Sequence, residues 1–383
     1  MLRSKIFTDF FNSEKSSGFV LIGCAILSLA LTNSAWGDSY LSIWNAQFAG
    51  HSVTHWINDG LMTIFFLLVG LEIEREIYIG ELKNIRNAML SVFAAAGGMI
   101  VPAIIHFMLN KGSSAQNGFG IPMATDIAFA LGVLSLAGKR VPFALKIFLT
   151  ALAIIDDLGA ILIIAVFYTA EISWLNLGIA LAIFVGLLIM ARLKVYNLLF
   201  YLIPGIAMWY FMLQSGVHAT ISGVLLAFAI PFGKGDENSI SGKLQHFLHK
   251  PVAFIILPLF ALANTCILFK PGIFSHLTDR NSLGILFGLF AGKPIGIFLL
   301  SWIAVRFRFG QLQQGVRLKH LLGAGMLGGI GFTMSVFITL LAFPEGEIIA
   351  VSKISILIAS LLSGIVGLSF LFLIKPADNQ QVL

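Results

Sequence analysis

Residues 151–168 read ALAIIDDLGAILIIAVFY, an apolar run long enough to cross a lipid bilayer and interrupted by two adjacent acids, Asp156 and Asp157. A crossing helix needs about 20 mostly apolar residues. An ionisable group near the middle of such a helix costs several kcal/mol, so it marks a functional site before it marks anything else. No cation flanks the pair within its own run. Successive helical residues point about 100° apart, so the two carboxylates cannot share one partner. Adjacent acids titrate as a coupled pair. Such a pair can hold protons, or release them and coordinate a hard cation through oxygen.

The rest of the chain has the same character. Of 383 residues, 58% are hydrophobic and 11% charged, against about 25% charged in soluble domains. That excludes a soluble enzyme. Twelve stretches can span a bilayer, near 17–36, 57–73, 88–109, 119–138, 143–168, 172–191, 196–214, 217–232, 251–269, 282–304, 320–343 and 348–374. The fold class expected is all-α and polytopic, with twelve transmembrane helices in one transporter domain over 1–383. The loops left over are too short for a soluble domain. With the N-terminus inside, 19 of the 24 basic residues fall on the inner side and 4 on the outer, with Lys293 inside a span. This split fits cytoplasmic termini. It also accounts for the net charge of +6 without nucleic acid, since no block of clustered Lys and Arg is present. The first span is expected to be retained rather than cleaved as a leader, and neither end carries a lipidation motif. Cys24 and Cys266 lie within spans, where they read as small packing residues.

Two further mid-span charges join the pair. Asp126 sits beside Thr125 in GFGIPMATDIAFALGVL, residues 118–134, where Pro122 and the glycines weaken the helix. A helix broken here would bring partial charges to the membrane interior, and Asp126 could neutralise converging N-terminal ends. The glycine-rich run GAGMLGGIGFTMS, residues 323–335, is a second candidate break. Interrupted spans in the two halves, here the fourth and eleventh, point to a transporter site. Lys293 lies in LFAGKPIGIF, residues 289–298. It could pair with an acid of the fifth span, compensate half-helix C-termini, or carry a proton itself.

Weaker signals are Glu72, Arg75 and Glu76 in LEIERE (71–76), His218 in SGVHAT (215–220), and His246 with His249. Glu72 and Glu76, four apart, share a helix face and could form a charged, pH-responsive mouth. The histidines titrate in the physiological range. His246 and His249 lack a third ligand nearby, so zinc is not expected. Gly323, Gly325 and Gly328 match a dinucleotide glycine pattern, with Glu345 following, but within a membrane span rather than a βαβ unit. No P-loop is present, and no nucleophile–base set for an intramembrane hydrolase can be read.

The motifs FFLLVGLE (65–72), GGMIVPA (97–103), ATDIAFALG (124–132), LAIIDDLGA (152–160), SGVHAT, GKPIGI (292–297) and GIGFTMS (329–335) together resemble the NhaA family of bacterial sodium–proton antiporters. The resemblance spans nearly the whole chain. It implies inverted-topology repeats, interrupted helices in spans 4 and 11, a core bundle of spans 3–5 and 10–12, and spans 1–2 and 6–9 as interface or scaffold. It assigns Asp156 and Asp157 to sodium or lithium in competition with protons, and Asp126, Thr125 and Lys293 to dipole compensation and coupling. Glu72, Arg75, Glu76, His218, His246 and His249 would set the pH response. Also implied are electrogenic antiport by alternating access in pH and sodium homeostasis, no cofactor beyond the transported ions, a homodimer, and the bacterial inner membrane. Residues 36–57 are short for the family's first outer loop, which often contributes a dimer-stabilising hairpin. Glu74 stands where a Lys is usual, and Gln245 where an acid often precedes the first His. A cation channel is the competing reading. Two acids at mid-membrane in one span favour ion–proton competition over a through-pore.

Overall fold

The computed structural model describes residues 2–374 except 170, 234–238, 314 and 345. The side chains of 2–15, 81, 85–87 and 139 are not described. Glu345 and the inner-side residues Lys234 and Lys375 therefore lie outside the described residues, as do the side chains of Arg3, Lys5, Lys15, Arg86 and Lys139.

The chain is helical almost throughout. In order come α1 (Leu2–Thr32), α2 (Gly37–Asn45), α3 (Val53–Tyr78), α4 (Ile85–Leu109) and α5 (Ile127–Leu136). Then follow α6 (Phe143–Phe167), α7 (Trp174–Arg192), α8 (Leu199–Leu213), α9 (Ile221–Ala229) and α10 (Ile240–Asn264). The last four are α11 (Arg280–Arg306), α12 (Leu318–Gly328), α13 (Phe332–Ala342) and α14 (Glu347–Leu373). A small antiparallel hairpin, β1 (Gln47–Phe48) with β2 (His51–Ser52), lies within the short segment 36–57. Its turn residues Ala49 and Gly50 both have positive φ, 49° and 85°, the backbone a two-residue type I′ turn requires.

Among the described residues seven helices are long and apolar enough to cross a membrane, or up to ten if each of three bent helix pairs forms one span. The sequence led us to expect twelve. Each expected stretch contains helix, but α8 has 15 residues and α9 only nine. At 1.5 Å per residue, nine residues rise about 14 Å, well short of a bilayer core of about 30 Å. The helix α7 buries only Ala180 and Leu187, leaving an apolar surface suited to lipid.

The chain forms two compact units. The first comprises 1–23, 84–160 and 267–383; the second comprises 24–83 and 161–266. In the first, a core of small and branched side chains from α4, α5, α6, α11 and α12 includes Ala94, Leu131, Leu149, Ile297 and Leu327. Its tightest seam joins α4 to α11. Gly284, Gly288, Gly292 and Gly296 recur every fourth residue on α11; Gly284, Gly292 and Gly296 abut His106, Ile105 with Pro102, and Gly97 of α4, while Gly288 abuts Pro122. A Cβ on Gly296 would overlap the carbonyl of Gly97, and the converse holds. Small residues thus admit close backbone approach, the usual way helices pack where lipid removes the hydrophobic incentive. In the second unit, α3 and α9 meet closely through Gly70 and Gly223. Asn58 and Asn264 exchange amide hydrogen bonds at 2.7 and 3.4 Å.

Candidate functional site

Two bent helix pairs of the first unit meet at their breaks. The 3-10 segment Ser114–Met123 and α5 bend by 45°, and α12 and α13 by 49°. At the first break Pro122 supplies no N–H and Ala124 is extended. At the second, Gly329–Gly331 separate the two helices. The strands of chain between them are bonded directly: the Asp126 N–H donates to the Ile330 carbonyl at 2.7 Å. The Ser335 hydroxyl donates to the Ile121 carbonyl at 2.7 Å.

Asp126 stands between two helix N-termini. Its Oδ1 accepts from Phe129 N–H at 3.0 Å, capping α5. Its Oδ2 accepts from the backbone N–H and the hydroxyl of Thr333, at 3.0 and 2.6 Å, in the first turn of α13. First-turn N–H groups lack intrahelical partners and carry the positive end of the helix dipole. One buried carboxylate thus serves two of them.

Thr125 turns the other way, to a C-terminal end. Its hydroxyl reaches the carbonyl of Gly328, the last residue of α12, at 2.9 Å, and Asp156 Oδ2 at 2.7 Å. One hydroxyl hydrogen faces two acceptors. The same oxygen accepts from Lys293 Nζ. Lys293 Nζ also donates to Asp156 Oδ2 at 2.8 Å, and both side chains are fully buried. Lys293 follows one wide turn, Gly288–Gly292, whose closing bond runs from Lys293 N–H back to the Gly288 carbonyl. Such single wide turns concentrate at functional sites.

Asp156 is therefore lopsided. Its Oδ2 takes two donors, while its buried Oδ1 has no hydrogen-bond partner among the described residues. Gly98, without a side chain, lies beside that oxygen. Asp157, on the next position of α6, is also buried. The arrangement holds two acids, one cation and one hydroxyl in a buried interior. It can exchange hydrogens for a small hard cation among carboxylate, hydroxyl and carbonyl oxygens.

Residues 8–371 match the Na+/H+ antiporter 1 family. The chain belongs to that family. Among its relatives in this antiporter family, Na(+)/H(+) antiporter NhaA 1 of Flavobacterium johnsoniae is 60% identical over 97% of each chain. NhaA of Flavobacterium psychrophilum is 62% identical over 94% of each, and NhaA of Dechloromonas aromatica 57% over 98% of each. A solved structure, the sodium proton antiporter MjNhaP1 of Methanocaldococcus jannaschii, shares the fold with a TM-score of 0.56 at 17% identity. The match covers 96% of this chain and 100% of that one.

Within this antiporter family member, the remaining expected site residues all lie in the second unit. Glu72, Arg75 and Glu76 are half-buried on α3. His246 is exposed and His249 half-buried on α10. His218 contacts the Tyr168 carbonyl through Nε2 at 2.8 Å. Sequence reasoning passed over Thr333, Asp59 and His106 as site residues and noted Glu74 only as a departure from the usual residue; the structure places all four in buried or half-buried positions. Thr333 was hidden as an ordinary hydroxyl in an apolar run. Asp59 pairs with His55 at 3.2 Å, and its i, i+4 spacing was a signal that could have been read. Glu74 is buried, with Oε2 unbonded among the described residues. His106 is buried with Asn281 and Ser352.

Proposed function

We propose that this chain is a sodium–proton antiporter whose exchange site is the Asp156–Asp157 pair. The observation that carries the reading is the unequal satisfaction of Asp156: Oδ2 is held by Lys293 and Thr125, while Oδ1 is buried and unbonded. A buried carboxylate left that way is costly, and either a proton or a sodium ion relieves it. Occupation by one excludes the other, which is the coupling an antiporter needs.

In this reading the deprotonated pair takes sodium from one side, and protons displace it on the other, by alternating access. Lithium, similarly hard, substitutes for sodium. Lys293 neutralises Asp156 between ion visits, so that the empty site does not carry two uncompensated charges. Asp126 fixes the break by balancing two helix N-termini, and Thr125 links Asp156 to the C-terminal end at Gly328. Exchange is electrogenic, with more protons than sodium ions per cycle. The functional architecture is twelve spans with inverted repeats and interrupted fourth and eleventh spans, in the bacterial inner membrane with cytoplasmic termini, as a homodimer. The groups in α3 and α10, with His218, adjust the pH response.

The test uses proteoliposomes with an acid interior. Adding sodium or lithium outside dissipates the gradient in the wild type and not in Asp157→Asn. Dissipation that proceeds equally in Asp157→Asn, or without any cation, would overturn the proposal. A steady sodium current without proton movement would favour a channel.

A further inference from the structure

One face of α11 brings two side chains to the neighbourhood of Asp156. Lys293 holds Oδ2. Ile297 follows one turn later on the same face, and its side chain is fully buried. Three glycines make its berth. A Cβ on Gly98 of α4 would lie 2.9 Å from Ile297 Cγ1, 3.2 Å from its Cδ1 and 3.8 Å from Asp156 Oδ1. A Cβ on Gly328 of α12 would lie 3.0 Å from Ile297 Cδ1 and 3.8 Å from the Thr125 hydroxyl oxygen. One on Gly325 would lie 3.4 Å from both Ile297 Cβ and Cγ2. The tip of Ile297 thus stands against two positions, each without a side chain and each bordered by an oxygen of the exchange site. Asp156 Oδ1, beside the first of them, is buried and has no hydrogen-bond partner among the described residues.

We propose, on the antiport reading above, that Ile297 is the size-selecting wall of the cation site, admitting sodium and lithium and excluding potassium. Selection between hard cations turns on cavity size, ligand number and flexibility. An ion that joins Asp156 Oδ1 on the Gly98 side meets the tip of Ile297 as its next neighbour. A larger ion needs that tip to move. A β-branched side chain within a helix holds essentially one χ1 rotamer, and a close-packed interior yields little. The glycines belong to the same device, because a side chain on Gly98 or Gly328 would compete with the isoleucine for one space. Ile297 binds no ion itself. Its bulk sets how far apart the oxygens can stand around one. A residue that only filled the core would cost stability when trimmed and would treat all cations alike.

Ile297→Val removes Cδ1 alone and leaves a gap approaching one water molecule, whose share of liquid volume is about 30 Å³. Gly98→Ala adds a methyl group to the facing wall, and the double variant moves one methyl group across the space. Initial rates of gradient dissipation are measured in proteoliposomes with an acid interior, over concentration series of lithium, sodium and potassium. Ile297→Val is expected to lower the preference for sodium over potassium by about tenfold, the lower end of what one methylene of fit is worth. Gly98→Ala is expected to shift the preference toward lithium, and the double variant to return toward the wild type. Melting temperature in detergent against the concentration of each ion reads the same preference without transport, since an ion that binds the folded protein raises it.

A sodium-to-potassium ratio unchanged in Ile297→Val overturns the proposal, and so does an equal weakening for all three ions. A wild type that takes potassium as readily as sodium overturns it too, as does a double variant further from the wild-type ratio than Ile297→Val. Should Gly98→Ala fail to fold, Ile297→Val decides alone. A wild type in which no cation moves protons defeats the antiport reading instead, and the melting series then decides the ion preference by itself.

Discussion

Thr333 gives both its backbone N–H and its hydroxyl to a single oxygen of Asp126, at 3.0 and 2.6 Å, across 207 residues of sequence. The other oxygen caps α5 through Phe129. One carboxylate therefore stitches together two helix beginnings that would otherwise expose N–H groups in an apolar interior.

Asp126→Asn replaces one accepting oxygen by an amide donor and removes the charge. Thr333→Val removes one donor and leaves the backbone N–H in place. Each is expected to destabilise the protein, Thr333→Val by about 1.5–3 kcal/mol, the range for hydrogen bonds to charged groups. The double variant should lose less than the two singles together, because both cut the same bond. Thermal unfolding in detergent measures all three; strictly additive losses would dismiss the shared interaction.

Lys293 and Asp156 should show rescue by neutralisation. Removing one partner of a buried pair costs about 3–5 kcal/mol, because the survivor is left charged and alone. Lys293→Ala alone is expected to show that loss, and Lys293→Ala with Asp156→Asn to recover most of it. Sodium-dependent exchange stays absent in the double variant, since one of the paired carboxylates is gone. A double variant no more stable than Lys293→Ala would argue against the pair as the source of the cost.

The Gly97–Gly296 contact predicts a steric asymmetry among glycines. Alanine at either position drives Cβ into the opposite backbone carbonyl, which cannot rotate away, so a loss at or above the overpacking range of about 1–3 kcal/mol is expected. Gly186 on α7 has nothing within 4 Å of its would-be Cβ. There alanine should be neutral or stabilising by up to about 1 kcal/mol. Melting temperatures of the three variants check the ordering.

Competition at the aspartate pair has a definite sign. Sodium needs the ligands deprotonated, so lowering the pH must raise the sodium concentration for half-maximal exchange. The rise reaches about tenfold per pH unit for each proton displaced. Initial rates across a sodium series at several pH values test this. An apparent KM that stays constant while only the maximal rate changes would rule out competition.

The parts of the site that could be read in sequence are those that violate their surroundings. Asp126, Asp156, Asp157 and Lys293 are conspicuous because an ionisable group in an apolar run has a large energetic cost, and the structure puts Lys293 on Asp156. Thr333, Asn281 and Ser352 break no rule where they stand. Each is a small polar residue that a helix tolerates anywhere, and its meaning comes from a partner on another helix. His106 was equally silent, a lone histidine in an apolar run. Helix existence was legible for the same reason the spans were, through hydropathy. Candidate breaks could also be read, from Pro122 and from the glycines of 323–335, where the helix pairs bend; the shortness of α9 could not, and neither could what meets across the breaks. Ala124 is followed by residues bonded to Ile330 and Gly328, a relation no local propensity contains.

The run Gly284, Gly288, Gly292 and Gly296 behaves as a key in a slot. Sliding α11 along α4 by less than four residues, about 6 Å, would bring larger side chains onto the Gly97 carbonyl and onto His106 and Ile105, which the glycines now clear. Turning it would do the same. Lys293, three residues before Gly296, is held in register against α4 by the Gly97–Gly296 contact.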